Sequence, residues 1–363
     1  MRVAAEVTGD YKKFCYGPLP NVPDGFSAKS FAALSIWWLL SQGRAAARKN
    51  LPDQELTFGM TIGIPMSFYT NSGLRATFLD VARAAWYLSR LNGDLEGSSI
   101  ALDRALTLVA QAFDEVRKRD VSPDSVRDWI RSEAEAAMYS AYRSPSVAPG
   151  TYAKVDVGAG TTNASVFRIT DTFEGGHWVK SGMAFYGADS GSTGMDAIDS
   201  ALWKLDPTGK PDCLELRGLE ATILADGKAV RACQAPIDEI VAIGRRPWKQ
   251  LKDTLGGLIA ADPDWKKCIV YLFGGGGDLL PLHRRIPVYP PDDSIRLRLG
   301  VLDIPSDLDF DFSGAVPLEI LRFIQVAYGL SEPGLEVPHV DTPAQMPPWS
   351  PPRKKPFKDY DEF

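Results

Sequence analysis

Residues 152–169, YAKVDVGAGTTNASVFRI, are the most informative stretch of this 363-residue chain. Two runs rich in β-branched and apolar residues flank the small-residue segment GAGTTN, a pattern that predicts a β-hairpin. Gly158 and Gly160 allow left-handed backbone conformations and leave backbone N–H groups bare for an anion. Thr161 and Thr162 add hydroxyl donors. The segment therefore predicts a turn that binds phosphate, and an ordinary hairpin with a glycine-rich turn is the alternative.

Asp156 closes the first predicted strand just before this turn. A carboxylate there can hold the water ligands of a magnesium ion that neutralises a triphosphate. Two familiar glycine loops do not fit. A P-loop needs a lysine and a following helix, and a Rossmann fingerprint needs a third small residue where Asn163 stands, again followed by a helix. The strand-like SVFRI follows GAGTTN instead, so neither motif describes the hairpin.

A second glycine-rich segment, IVYLFGGGGDLL, occupies residues 269–280. Its hydrophobic strand runs directly into Gly274–Gly277, which leaves a backbone bare enough for a flat base or a ribose to lie against it. The N–H groups of the next turn can meet a phosphate. Ordering four glycines costs conformational entropy, and in a plain connection nothing offsets this cost. This cost favours close approach of a ligand over the alternative, a flexible loop.

The composition excludes several classes of protein. Hydrophobic residues make up 45% and charged residues 24%, which indicates a folded globular chain. Forty basic against 46 acidic residues give a net charge of −6, without the basic excess that nucleic-acid binding requires. The longest apolar stretch, Phe31–Leu40, is too short to span a membrane, and no secretory signal is visible, so a cytoplasmic location is expected. Four dispersed cysteines and three histidines support neither a zinc site nor a disulfide framework.

Helical and strand patterns alternate along the chain, which predicts an α/β fold. Helices are expected over residues 27–48, 71–91, 98–119 and 123–142, with a last helix ending at Ser331, and strands over 2–7, 56–64 and 268–273. Three regions are predicted: residues 1–150, residues 151–331, and a Pro-rich disordered tail, residues 332–363.

The predicted helix before the hairpin contains Glu133 and Glu135. Most glutamates on helices are merely solvated, and this interpretation holds for Glu135. Glu133 gains a candidate role only from a family resemblance.

Six segments, taken in order, resemble the ATPase superfamily that contains actin, the sugar kinases and the seventy-kilodalton heat-shock chaperones. The chaperone branch is the most similar, and the resemblance covers about residues 27–331. Two segments are fairly specific: VDVGAGTTNASVF resembles the family's second phosphate hairpin, and FGGGGDLLP its adenosine loop. The other four are TIGIPMSFYTNSGLRATFLDVARAAW, SEAEAAMYSAY, GADSGSTGMDAID and VAYGLS.

The resemblance implies a two-lobed actin-like (ribonuclease H-like) ATPase fold that binds ATP and Mg²⁺, with lobes at residues 1–150 and 151–331. Asp156 would organise the metal, and the Thr161 side chain would bind the β and γ phosphates. Glu133 would help to position the attacking water. Phosphoryl transfer needs little beyond such positioning and charge neutralisation. The other residues implied to bind the nucleotide are Gly158, Gly160, Thr162, Gly194, Gly274, Gly275 and Gly276.

The chain also departs from the family. Asn163 stands where the family has a second acidic residue, and residues 278–280 lack the arginine that stacks on adenine. The largest departure is in residues 1–26, where nothing resembles the family's first phosphate loop, Asp-x-Gly-Thr-Thr. The first lobe is therefore expected to be incomplete. The strand in LTFGMTIGI would keep an unpaired edge, which a protein partner or an upstream segment would complete.

The leading functional hypothesis is an ATP-operated conformational switch, a chaperone-like ATPase domain without a client-binding domain. Only about 30 residues follow Ser331, too few for such a domain. Hydrolysis is expected to be slow unless the first phosphate loop is supplied. A degenerate scaffold that binds nucleotide without turnover and a filament-forming segregation protein are the alternatives, and a sugar kinase is the least favoured.

Overall fold

The computed structural model describes residues 27–56, 58–91, 100–118, 129–174, 176–205, 227–261, 268–277, 279–288, 297–300, 302, 318–331 and 340–341. These residues divide into two compact units. As far as it is described, the first unit comprises residues 27–140, 190–192 and 323–331, and the remaining residues form the second. The strand expected over residues 2–7 lies outside the described residues.

Helices and strands are interleaved along the chain, which makes this an α/β protein as the sequence predicts. The helices are α1 (Ala28–Asn50), α2 (Met66–Tyr69), α3 (Ser72–Leu91), α4 (Leu102–Lys118), α5 (Glu133–Arg143), α6 (Met195–Leu205), α7 (Gly227–Ala261), α8 (Leu280–Arg285) and α9 (Leu318–Ser331). The strands are β1 (Ile62–Ile64), β2 (Ile130–Ser132), β3 (Gly150–Val157), β4 (Thr162–Glu174), β5 (His177–Gly191), β6 (Ile269–Phe273), β7 (Arg298–Gly300) and β8 (Val340–Asp341).

The first unit is built mainly from α1, α3 and α4, and polar side chains cap two of these helices. Ser27 Oγ accepts a hydrogen bond from Ser30 N at 3.1 Å, and Asn71 Oδ1 accepts from two N–H groups in the first turn of α3. The helices that the sequence predicts over residues 27–48 and 71–91 thus begin close to their expected first residues. The apolar faces of the three helices meet in one core that includes Trp37, Val81, Leu88 and Val109.

The first unit also contains a two-stranded parallel sheet. β1 pairs with β2, with Ile62 opposite Ile130 and Ile64 opposite Ser132. The strand predicted over residues 56–64 is thus limited to its last three residues, and a strand precedes α5 where the sequence predicts continuous helix. Among the described residues no further strand joins this sheet.

The second unit contains a larger mixed sheet with the strand order β7-β6-β3-β4-β5-β8. β3 and β4 form the predicted hairpin and run antiparallel, whereas β6 lies parallel to β3, and β7 parallel to β6. β8 is the part of the predicted Pro-rich tail that the structure describes, and it pairs with β5. Three consecutive strands therefore lie side by side, and two later strands extend the sheet beyond the first of them.

One face of this sheet packs into the main core of the second unit. Successive side chains on a strand point to opposite faces, so every second residue of β3 enters this core. These residues are Ala153, Val155 and Val157. Helices α6 and α7 supply further members, which include Ile198, Cys233, Ile237 and Ile240. None of the helices that the structure describes combines the length and apolar character needed to cross a membrane.

Candidate functional site

The hairpin turn, residues 158–161, joins the ends of β3 and β4. Asp156 is opposite Asn163 and Val157 is opposite Thr162, so the turn is the tip of a regular antiparallel pair. Gly158 N donates to Thr161 O at 2.9 Å and closes the turn. Gly158 does not adopt the left-handed conformation that the sequence predicts. It lies close to its own turn instead, because a Cβ there would stand 3.3 Å from Thr161 O.

The N-terminus of α6 docks directly onto this turn. Met195 N donates to Gly158 O at 2.9 Å, and Asp196 N donates to Ala159 O at 2.7 Å. Gly194 makes this contact possible, since a Cβ on it would collide with the carbonyl oxygens of residues 158 and 159. The first backbone donors of the helix are therefore used to hold the turn, so they are not available to an anion.

The two threonines of the turn have different surroundings. Thr162 is fully buried, and its hydroxyl donates to Thr193 O at 2.7 Å. Its single proton is therefore engaged, and Thr162 ties the turn to the segment before α6. Thr161 is half-buried, and its hydroxyl has no hydrogen-bond partner within the described part of the chain.

The glycine run after β6 packs against the end of β3. Gly274 has φ +74°, and a Cβ on it would collide with Val157 O. Gly276 N donates to Val157 O at 3.0 Å, and a Cβ on Gly276 would press on the Val157 side chain. The close approach that these two glycines permit is thus to β3 of the protein itself. Gly275 between them is exposed, so it is the glycine of this run best placed for contact with a ligand.

Three consecutive backbone N–H groups remain unused at the tip of the turn. The N–H groups of Ala159, Gly160 and Thr161 donate no hydrogen bond to the residues that the structure describes. Ala159 is exposed, and the other two residues are half-buried. Successive free N–H groups in a turn form a concavity that binds anions. The Thr161 hydroxyl belongs to the same turn, so four donors without a partner lie within three consecutive residues.

Lys154 and Asp156 form an ion pair beneath the turn. Both side chains lie on the same face of β3, because residues two apart in a strand point the same way. This face is opposite the core, since Lys154 and Asp156 alternate with the core residues Ala153, Val155 and Val157. Lys154 Nζ is 3.4 Å from Asp156 Oδ2 and 5.3 Å from the centre of the Phe273 ring. The Lys154 side chain is 2% exposed and that of Asp156 is 14% exposed. Lys154 is not among the site residues predicted from the sequence, although its spacing of two residues from Asp156 was a signal that could have revealed the pair.

The surroundings of Asp156 do not fit a resident magnesium ion. Mg²⁺ takes oxygen ligands in near-ideal octahedral geometry. One oxygen of Asp156 faces the Lys154 ammonium, and the other stands 2.6 Å from where a Cβ on Gly274 would be. Within the described residues, no group of three or more His, Cys, Asp or Glu side chains could hold a metal ion.

Two further carboxylates lie on α6, and the sequence analysis did not single them out. Burial raises the pKa of Asp196, and burial together with the nearby Asp196 raises the pKa of Asp199 to about 6. Asp199 Oδ1 is buried and has no hydrogen-bond partner in the described part of the structure. Their spacing of three residues was the available signal, because residues three apart lie on the same face of a helix.

The structure brings most of the predicted site residues together in the second unit. These are Asp156, Gly158, Gly160, Thr161, Thr162, Gly194, Gly274, Gly275 and Gly276. Glu133 belongs to the first unit, where it begins α5 and its Cγ stands 3.0 Å from where a Cβ on Gly63 would be. Its role in positioning a water molecule stays a prediction.

No protein-family model matches the chain, and a comparison with curated proteins finds no match either.

Proposed function

We propose that this chain binds an adenine nucleotide through the turn at residues 158–161 and acts as a nucleotide-dependent conformational switch of the actin and heat-shock ATPase type. One observation carries the proposal: three consecutive N–H groups and the Thr161 hydroxyl, all in one turn, have no hydrogen-bond partner among the described residues. Rigid donors of this kind bind a phosphate without paying for reorganisation of the loop.

The arrangement around the turn supports the proposal further. Residues of α6 and of the glycine run after β6 both hydrogen-bond to residues 157–159, so three elements fix the position of the donors. Gly275 is exposed and precedes Gly276, whose N–H donates to Val157 O beside the turn. A nucleoside bound at Gly275 would therefore lie close to phosphates bound at the turn. The strand order, with β6 and β7 added in parallel beside β3, is compatible with one lobe of that superfamily.

Isothermal titration with ATP and with ADP tests the proposal. We expect saturable binding, and we expect Gly160→Glu to weaken it at least about tenfold, because a carboxylate in the turn repels the phosphate. Gly59→Glu is the matched control, since it adds the same charge at an exposed glycine with open space around its Cβ position. Absence of binding to the wild-type protein, or equal weakening by both variants, would refute the proposal.

A further inference from the structure

Lys154 is a buried cation on β3, the strand that leads into the turn of the proposed site. An ammonium group this deep in a protein is costly unless an opposite charge is close to it. Asp156 Oδ2 supplies that charge at 3.4 Å, and the Phe273 ring lies against the ammonium on another side. Because both side chains are nearly buried, solvent screens this ion pair little.

The ion pair changes what Asp156 can do. An isolated carboxylate below a phosphate-binding turn repels the phosphate and attracts a divalent cation, which then neutralises both groups. With Lys154 in place, Asp156 is already neutralised. A magnesium ion at Asp156 would lie close to the Lys154 ammonium and be repelled by it, and the second carboxylate oxygen is crowded by Gly274.

From this geometry we propose that the site binds its nucleotide without a divalent cation, and that Lys154 neutralises Asp156 in place of magnesium. The inference rests on the proposed function. It departs from the magnesium ion that the sequence resemblance implies. Its consequence is that Lys154 determines whether binding depends on a metal ion.

Titration of the wild-type protein with ADP and with ATP, in EDTA and in excess magnesium, is the first test. We expect dissociation constants that agree within about threefold between the two buffers. Binding at least about tenfold tighter with magnesium would overturn the inference and leave the proposed function intact. Absence of binding in both buffers would overturn the proposed function and the inference together.

Lys154→Met gives the second test. The variant leaves Asp156 without its partner, so we expect binding in EDTA to weaken by about tenfold or more and magnesium to restore it. A Lys154 that only supports the fold would instead weaken binding equally in both buffers, and that result would overturn the inference.

Two controls complete the design. Lys154→Met combined with Asp156→Asn removes both charges, and it should bind nucleotide equally in both buffers even if the single variant does not fold. Metal dependence in this double variant would overturn the inference. Lys180 is another partly buried lysine of the second unit, and it donates to Tyr142 O and Ser144 O. Lys180→Met should create no magnesium dependence, and such a dependence would also count against the specific role of Lys154.

Discussion

Thr161 and Thr162 are adjacent and chemically identical, yet the structure gives them different partners. The Thr162 hydroxyl donates to Thr193 O at 2.7 Å inside the protein, whereas the Thr161 hydroxyl has no partner among the described residues. A hydroxyl that is already bonded stabilises the fold, and one that is free can bind a ligand. We therefore expect Thr162 to contribute to stability and Thr161 to contribute to ligand binding.

We expect Thr162→Val to lower the free energy of unfolding by about 1–3 kcal/mol, because the buried Thr193 carbonyl loses its donor. Thr161→Val should leave stability nearly unchanged and weaken nucleotide binding by about tenfold, the worth of one hydrogen bond to a charged group. Urea denaturation and titration calorimetry of both variants check this. The opposite pattern, with Thr161 stabilising and Thr162 binding, would contradict the assignment.

Asp199 provides a prediction about pH. Its pKa is raised to about 6, because burial and the nearby Asp196 disfavour its ionised form. The folded state therefore binds this proton more tightly than the unfolded state. Stability from this group is present below the ordinary carboxyl pKa of 3.8 and is lost as pH rises through about 6.

We accordingly expect Asp199→Asn to match the wild-type stability at acidic pH and to exceed it at neutral pH. Urea midpoints measured across the range from about pH 4 to pH 8 test this, because the difference should develop as the wild-type carboxyl ionises. Asp171→Asn, at an exposed position of β4, is the control and should show no such pH-dependent gain. A constant difference at all pH values would rule out ionisation of Asp199 as the cause.

Among the elements, α6 matters most to the site because its first turn holds the hairpin tip. Gly194→Ala would push a methyl group into the carbonyl oxygens of residues 158 and 159. We expect a loss of about 1–3 kcal/mol in stability, since overpacking against backbone is relieved only by moving the helix. Binding of nucleotide should weaken as well, because the turn loses its support.

Gly43→Ala is the matched control for this prediction. Gly43 lies inside α1 with nothing within 4 Å of a Cβ position. Alanine there should be neutral or stabilise the helix by up to about 1 kcal/mol. Thermal unfolding of both variants, with and without nucleotide, makes the comparison. If Gly194→Ala behaves like Gly43→Ala, the docking of α6 on the turn does not matter to the fold.

Some of the helices and strands could be predicted from the sequence, and others could not. The hairpin, the caps of α1 and α3 and the strand before the glycine run could be predicted because their signals are local. β2 could not, since a three-residue strand is defined by its pairing with β1, nearly 70 residues away along the chain. For Gly274 and Gly276 the sequence predicts close approach of a ligand, whereas in the structure the neighbour that they approach is β3, which lies far away along the chain.

At the scale of the whole molecule, each unit has its own hydrophobic core. The core of the first unit contains residues of α1, α3 and α4, whereas the core of the second contains residues of β3, α6 and α7. All the donors at residues 158–161 belong to the second unit. A bound ligand stabilises the structure that it contacts. The stabilisation grows with the logarithm of the ratio of the ligand concentration to the dissociation constant.

Hydrogen exchange measured by peptide, with and without ADP, should therefore show where the nucleotide binds. At a ligand concentration about 100 times the dissociation constant, the stabilisation is about 2.7 kcal/mol, which slows exchange by about 100-fold for amides that exchange through opening of the second unit. We expect this protection in residues 152–162 and 195–205. Residues 74–88, in α3 of the first unit, are the internal reference and should change much less. Protection of residues 74–88 with none around the turn would mean that the nucleotide binds elsewhere, because no ligand can slow the opening of a segment whose folded state it does not favour.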